Sequence, residues 1–224
     1  MAEVYPHPKM TFGKWIENVW YYYKWFILLG IVVLTGIVIA SVQFFSRTDP
    51  DASLLYVGPR VISEENCEKI LSVVEKRMLS DPNGDGKLKA EMKTVALSTS
   101  YRELIGNELP GQTEYNAYLD YQNEILAGDG CILLVDPLFY EELKSDRAIM
   151  PLSDIFSELP DFAKECGFRL QDLSLWKEDG FSTLPGNTVL CFRFASSYSI
   201  QDEAERLKIQ EENLAVFRDL CALS

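Results

Sequence analysis

Six consecutive residues carry the clearest ligand spacing in the sequence. The stretch Asp81-Pro82-Asn83-Gly84-Asp85-Gly86 matches the first half of an EF-hand calcium loop. Carboxylate and amide oxygens at alternate positions can converge on one hard cation, and a glycine in the sixth position permits the sharp turn that this requires. The pattern therefore predicts a calcium site, with the side chains of Asp81, Asn83 and Asp85, the carbonyl of Lys87, and Glu91 as its ligands.

The second half of the loop departs from this pattern. The twelfth position, where an EF-hand has a bidentate glutamate, is Met92, and Glu91 comes one residue early. The residues that follow have the composition of a strand, whereas an EF-hand continues into a helix. Two interpretations stay open: a weak calcium site, and a polar turn that joins a helix to a strand. Calcium is the one cofactor that the sequence suggests.

Histidine chemistry is missing from most of the chain. The one histidine is His7, and the C-terminal domain has none. This argues against Ser–His and Cys–His nucleophile pairs and against histidine-ligated zinc in that domain. The G-x-S-x-G, P-loop and G-x-G-x-x-G patterns are absent, and no two of the five cysteines form a C-x-x-C pair. We therefore expect a protein that is not an enzyme.

Paired carboxylates leave one catalytic alternative. Asp and Glu residues are numerous, and two of them across a pocket could hydrolyse glycosidic bonds. The alternative function is thus a carboxylate-dependent surface hydrolase that acts on glycans. The aromatic side chains available to bind a sugar in such a site are Tyr101, Tyr140 and Trp176.

The charge is distributed unevenly along the chain. The formal net charge is −13, and residues 1–45 contribute +1, from three lysines against Glu3 and Glu17. Residues 46–224 therefore carry −14, since −13 minus +1 is −14. A domain this acidic repels a phosphate backbone, so we expect no nucleic-acid partner.

A membrane anchor is predicted near the N-terminus. Residues 26–45 contain no charge, and most of them are Phe, Ile, Leu or Val, which suits a transmembrane helix. Residues 1–25 form a tail with an amphipathic helix whose aromatic face suits the membrane interface. Lys9, Lys14 and Lys24 precede the span, which predicts a cytoplasmic N-terminus. The alternative is a cleaved signal peptide.

Downstream of the anchor, residues 46–51 form a polar linker and residues 52–224 an extracytoplasmic domain. Apolar strand patterns alternate there with helical patterns. The predicted strands cover residues 53–57, 92–98, 131–135 and 188–194. This alternation predicts an α/β fold, a three-layer α/β/α sandwich with a mostly parallel sheet. We expect a single-pass protein of the cell membrane, in contact with the lipid bilayer.

Ligands of open α/β sheets bind at the carboxyl ends of the strands. We therefore expect a ligand, or a membrane or cell-surface protein partner, at this edge of the domain. The residues predicted there are Gly58, Ser98, Thr99, Ser100, Asp136 and Pro137.

Two resemblances accompany these patterns. Residues 20–25 (WYYYKW), the apolar span and the DPNGDG loop resemble uncharacterised single-pass membrane proteins of Gram-positive bacteria. Residues 124–136 (EILAGDGCILLVD) and 149–154 (IMPLSD) resemble a helix, turn and strand in one lobe of extracytoplasmic solute-binding proteins of ABC transporters. The second resemblance implies a binding module. It departs from those receptors in having one lobe and a helical anchor.

Overall fold

A computed structural model describes residues 11–45, 50–79, 81, 86–97, 112–128, 130–196 and 202–221. The chain divides into two compact units, Met1–Thr48 and Asp49–Ser224. The boundary falls inside the predicted linker.

The first unit contains one long helix, α1 (Phe12–Phe45). The predicted interfacial segment and the predicted span are thus parts of one continuous helix. Its apolar stretch Trp20–Ile39 has 20 residues and a mean hydropathy of 2.0, and none of it is buried. The hydroxyl of Thr35 donates to the carbonyl of Ile31 at 2.8 Å, which satisfies the polar group within the apolar stretch. The helix fits a single-pass membrane protein by length and composition.

The second unit is a five-stranded sheet with helices. Its strands are β1 (Ala52–Gly58), β2 (Ala90–Ala96), β3 (Ile132–Val135), β4 (Gly167–Arg169) and β5 (Val189–Phe192). Its helices are α2 (Glu64–Arg77), α3 (Gln112–Ala127), α4 (Pro137–Ser145) and α5 (Glu203–Cys221). Short 3-10 turns cover Leu152–Asp154, Leu170–Asp172, Ser174–Lys177 and Phe181–Thr183.

The sheet order is β2-β1-β3-β5-β4 and the sheet is mixed. Strand β1 runs parallel to β2 and to β3, whereas β5 runs antiparallel to β3 and to β4. The predicted α/β class is confirmed, and parallel pairing holds for the first three strands. Between β4 and β5 the chain makes only 3-10 turns. A parallel pair of consecutive strands needs a long crossover connection, usually a helix. This connection has none, so β5 is antiparallel to β4.

The core has two clusters of buried side chains, contributed by alternate residues of the strands. Leu54 and Tyr56 of β1 belong to the cluster that contains Ile70 of α2 and Phe217 of α5. Leu55 and Val57 belong to the cluster that contains Tyr118 of α3 and Phe139 of α4. Every residue of β1 and β3 is buried, as expected for strands at the centre of a sheet.

Local signals at the helix ends agree with the sequence. Helix α2 begins after Ser63, whose hydroxyl oxygen accepts the Asn66 N–H at 3.4 Å, as an N-cap does. The C-terminal end of α3 is held by a residue distant in sequence. The buried guanidinium of Arg193 donates there to the carbonyls of Ile125, Gly128 and Gly130. A cation placed there satisfies carbonyls that the helix leaves unpaired and complements the helix dipole.

Candidate functional site

The predicted ligand edge is assembled from the carboxyl ends of β1 and β3. These strands are parallel neighbours, and Val57 lies opposite Val135 in their register. Gly58 and Asp136, which directly follow these two residues, therefore come together. Strands β2 and β3 lie on opposite sides of β1, so the connections that follow β1 and β2 lead towards opposite edges of the sheet. This is the topology at which open α/β sheets leave a crevice.

Asp136 has a structural role at this edge. Its N–H donates to the Val57 carbonyl at 2.9 Å, and its carboxylate accepts the Leu138 N–H at 3.0 Å. It is the N-cap of α4, and Pro137 occupies the first turn, where a missing N–H costs nothing. A half-buried carboxylate thus remains fixed in place at the end of β3.

Tyr56 adds a buried phenol that the sequence analysis did not select. Its ring packs over Gly58, so closely that a Cβ at that position would lie 2.6 Å from the Tyr56 hydroxyl oxygen. The side chain is fully buried, and its hydroxyl has no hydrogen-bond partner among the described residues. A tyrosine in the otherwise apolar run of β1 is the signal that could have identified it.

The electrostatics of this hydroxyl follow from its neighbours. Burial raises the pKa of the Tyr56 phenol, and the charge of Asp136 raises it further. The backbone N–H and the charge of Arg60 oppose these effects. The phenol is therefore neutral and can donate a hydrogen bond.

Arg60 supplies the cation of the edge. Its Nη1 donates to the Thr183 carbonyl at 2.8 Å, which ties the loop after β1 to the last 3-10 turn. The phenol of β1 is thus subject to the charges of a carboxylate and a guanidinium. Such a set can form hydrogen bonds to a small polar ligand in either direction. The remaining predicted residues of this edge, Ser98, Thr99 and Ser100, lie outside the described residues.

The predicted calcium loop is described only in part. The Asp81 carboxylate accepts the Gly86 N–H at 2.7 Å, and Gly86 has a φ of 79°, a backbone conformation that glycine readily adopts. Glu91 lies in β2, where its carboxylate accepts the Ser53 hydroxyl at 2.8 Å.

Two of the predicted calcium ligands, Asn83 and Asp85, fall outside the described residues, and Lys87 lies just before β2. Among the residues that the structure describes, no three His, Cys, Asp or Glu side chains are grouped to hold a metal ion. Calcium at this loop stays a prediction.

The aromatic residues named for a hydrolase do not share a groove in the described part of the chain. Tyr140 is buried, and its hydroxyl oxygen accepts the Cys166 N–H at 3.1 Å. Trp176 packs half-buried against the other core cluster. Tyr101 lies outside the described residues. None of the five cysteines forms a disulfide, and burial raises the pKa of Cys191, which keeps that thiol protonated.

Two grooves were not predicted from the sequence. The first, of about 790 Å³, lies between strand β2 and helix α3, and the polar residues that line it include Thr94, Asn116, Asp120 and Asn123. The second, of about 570 Å³, has Arg77 and Arg218 on its walls, together with Phe156, Glu158 and Asp219. Grooves of this kind depend on which strand forms the edge of the sheet and on where the helices pack, and sequence periodicity reports neither.

Comparisons with protein-family models, with curated proteins and with solved structures find no match to this chain.

Proposed function

We propose that this chain is a single-pass membrane protein whose α/β domain is an extracytoplasmic binding or interaction module. The observation that carries the proposal is the unburied apolar stretch Trp20–Ile39 in a unit separate from the α/β domain. An apolar helix of 20 residues has the length of the hydrocarbon core of a bilayer.

The charges favour one orientation. Lys9, Lys14 and Lys24 lie before or within the start of the apolar stretch, and the domain beyond it carries −14. Lysines close to a span are retained on the cytoplasmic side, which would leave the C-terminal domain outside. We further infer that this domain is a three-layer α/β/α sandwich. The two buried clusters support this, because one contains side chains of α2 and α5 and the other contains side chains of α3 and α4.

The ligand of this module binds at the carboxyl edge of β1 and β3. The buried, unpaired hydroxyl of Tyr56 supports this placement, because a buried polar group without a partner costs free energy that a ligand can recover. The charges of Asp136 and Arg60 both act on this hydroxyl. Their chemistry suits a small polar ligand that carries both a hydrogen-bond donor and an acceptor.

The orientation is tested by protease treatment of intact cells that express the chain with a different tag at each terminus. We expect the protease to remove the C-terminal tag and leave the N-terminal tag attached to the membrane. A C-terminal tag that is cut only after lysis would contradict this orientation. An N-terminal tag that is lost without protease would indicate a cleaved signal peptide.

Binding at the edge is tested by thermal unfolding of the protein against a panel of amino acids, sugars and short peptides. Asp136→Asn removes the charge but keeps an oxygen that can cap α4. Asp161→Asn changes an exposed carboxylate elsewhere and is the control. We expect a compound that raises the melting temperature of the wild type and of the control but not of Asp136→Asn. Equal shifts in all three proteins would place the ligand elsewhere.

A further inference from the structure

Among the described strands, β2 lies at one end of the sheet and pairs with β1 alone. Its register with β1 covers all seven of its residues. The Leu97 N–H donates to the Gly58 carbonyl at 2.8 Å, which fixes the odd-numbered residues as those whose backbone groups point towards β1. The N–H and C=O groups of Met92, Thr94 and Ala96 therefore point away from the sheet.

These outward backbone groups have no partner among the described residues. Within the described part of the domain, the one outward N–H of β2 with a partner is that of Ala90, which donates to the Glu75 carboxylate at 3.2 Å. The side chains of Lys93, Thr94 and Ala96 are exposed, and the groove beside α3 leaves this edge open in the described part of the domain. An exposed edge of this length is a template for another strand.

The charges of β2 point to a second copy of the same strand as the partner. Glu91 and Lys93 are two residues apart, so their side chains lie on the same face of the strand. In an antiparallel pair of identical strands centred on Met92, each Glu91 lies opposite Lys93 of the other copy. A pair centred on Lys93 would place two lysines opposite each other, and a pair centred on Thr94 would place Lys93 opposite Val95.

We propose that two copies of this chain join β2 to β2 in antiparallel orientation, about a two-fold axis through Met92. The two Met92 residues exchange both backbone hydrogen bonds, and the Thr94 N–H donates to the Ala90 carbonyl of the other copy. The Ala90 N–H keeps its Glu75 partner. Lys93, which already pairs with Glu124 at 3.2 Å, then lies between two carboxylates. Opposite charges placed directly across an antiparallel pair stabilise it.

A lysine on an edge strand can also have the opposite effect on association. Exposed lysines often protect edges, because pairing with another strand would bury the charge. Removing a protective lysine increases association, whereas removing a lysine of an ion pair decreases it. Lys93→Thr therefore separates the two readings by the direction of its effect.

The association is measured on the full chain in detergent micelles, by sedimentation equilibrium over a range of protein-to-detergent ratios. We expect a dimer that Lys93→Thr weakens, and that Glu91→Lys or Lys93→Glu weakens by about tenfold or more in dissociation constant. The exchanged variant, Glu91→Lys with Lys93→Glu, restores the opposite charges and recovers the dimer. Lys177→Glu, an exposed lysine without a described ion pair, is the control and leaves it unchanged.

Register is tested by oxidative cross-linking, with circular dichroism and the melting temperature confirming that each variant folds. Met92→Cys should cross-link two chains, because Cα atoms of a hydrogen-bonded pair lie about 5.5 Å apart. Thr94→Cys should not, since Thr94 lies opposite Ala90 in this register. The five native cysteines set the background. A monomer at all concentrations, a dimer that Lys93→Thr strengthens, or cross-linking by Thr94→Cys alone would overturn the proposal.

Discussion

Replacing Arg193 by Met should destabilise the α/β domain strongly. The guanidinium is 3% exposed and donates to three main-chain carbonyls, with the Nε to Gly130 oxygen distance at 2.5 Å and the Nη1 to Ile125 oxygen distance at 2.6 Å. The third bond goes to the Gly128 carbonyl. Together these bonds hold the end of α3 and the start of β3 against the residue that follows β5.

The magnitude follows from the groups left behind. A methionine fills a similar volume, so the cavity cost is small, but three carbonyls lose their donor, and those of Gly128 and Gly130 belong to buried residues. Each unsatisfied group costs about 1–3 kcal/mol, less where water can enter. Removing a favourable charge from a helix C-terminus costs about 0.3–1 kcal/mol more. We expect a loss of about 3–5 kcal/mol in the free energy of unfolding.

The measurement is urea unfolding of residues 49–224, which form a compact unit, followed by tryptophan fluorescence and circular dichroism. Arg193→Lys keeps the charge but cannot reach three carbonyls, so an intermediate loss is expected. Lys208→Met removes a largely exposed cation and should cost less than about 0.5 kcal/mol. A loss below about 1 kcal/mol for Arg193→Met would refute the reasoning that these carbonyls depend on the guanidinium.

Three further outcomes are expected. Gly180 has a φ of 85° and a Cβ there would lie 2.8 Å from the Ile70 nitrogen, so Gly180→Ala should cost about 2–4 kcal/mol by urea unfolding. Gly86→Ala, with a φ of 79° and open space around it, should cost about 1 kcal/mol, and equal losses would exclude the contact as the cause. Calcium at about tenfold its Kd should stabilise the domain by about 1.4 kcal/mol. The melting temperature should therefore be higher in calcium than in chelator, and Asp85→Ala should abolish the difference. Equal melting temperatures of the wild type with and without calcium, at matched ionic strength, would show that the loop is only a polar turn. Burial raises the pKa of Tyr121 above its ordinary 10.0, so the unfolded chain loses this proton first and stability falls above pH 10 by up to about 1.4 kcal/mol per pH unit. Tyr121→Phe should flatten that fall, and an unchanged slope would assign it to other groups.

Strong local signals predicted the central elements. The apolar run before Asp136 is β3, buried at every position, and Ser63 caps α2 as its position before two glutamates suggests. Both depend on residues close in sequence, where periodicity and capping chemistry are direct. The predicted second strand is shifted, since β2 begins at Ala90 and ends at Ala96. Element ends are set by pairing with a neighbour, and β1 determines this one.

Long-range features were harder to predict. On α3 the sequence favours a buried face made by Tyr115, Tyr118, Leu119, Ile125 and Leu126. Tyr118 and Ile125 do pack in the core, but Tyr115, Leu119 and Leu126 are exposed at 51%, 40% and 51%. The face that packs is centred on Tyr118 and Tyr121. The helix has apolar residues on more than one face, and its rotation about its own axis relative to the sheet decides which face is buried. Strand β4 was missed altogether, since three residues that include a glycine have no detectable alternation.

At the site, the sequence indicated which edge of the sheet to inspect but missed two of the side chains that matter there. Gly58 and Asp136 meet because their strands are parallel neighbours, which strand–helix alternation predicts. Tyr56 joins them because its ring packs over Gly58 within β1, and Arg60 lies in the loop after β1, where it binds the Thr183 carbonyl. The edge position of β2 likewise depends on strand order, which a single sequence leaves undetermined.

Helix α5 makes the completion of this domain a late event in synthesis. It is the last described element of the chain, yet its side chains share a core cluster with β1, the first strand, and Phe217 packs on Phe192 with ring centroids 5.4 Å apart. The amide oxygen of Asn213 also accepts the Ser53 N–H at 3.4 Å. A ribosome releases Ser53 long before Asn213, so β1 waits with one apolar face uncovered until α5 has been synthesised. Chains that stop short of α5 should be the form that proteases and chaperones meet.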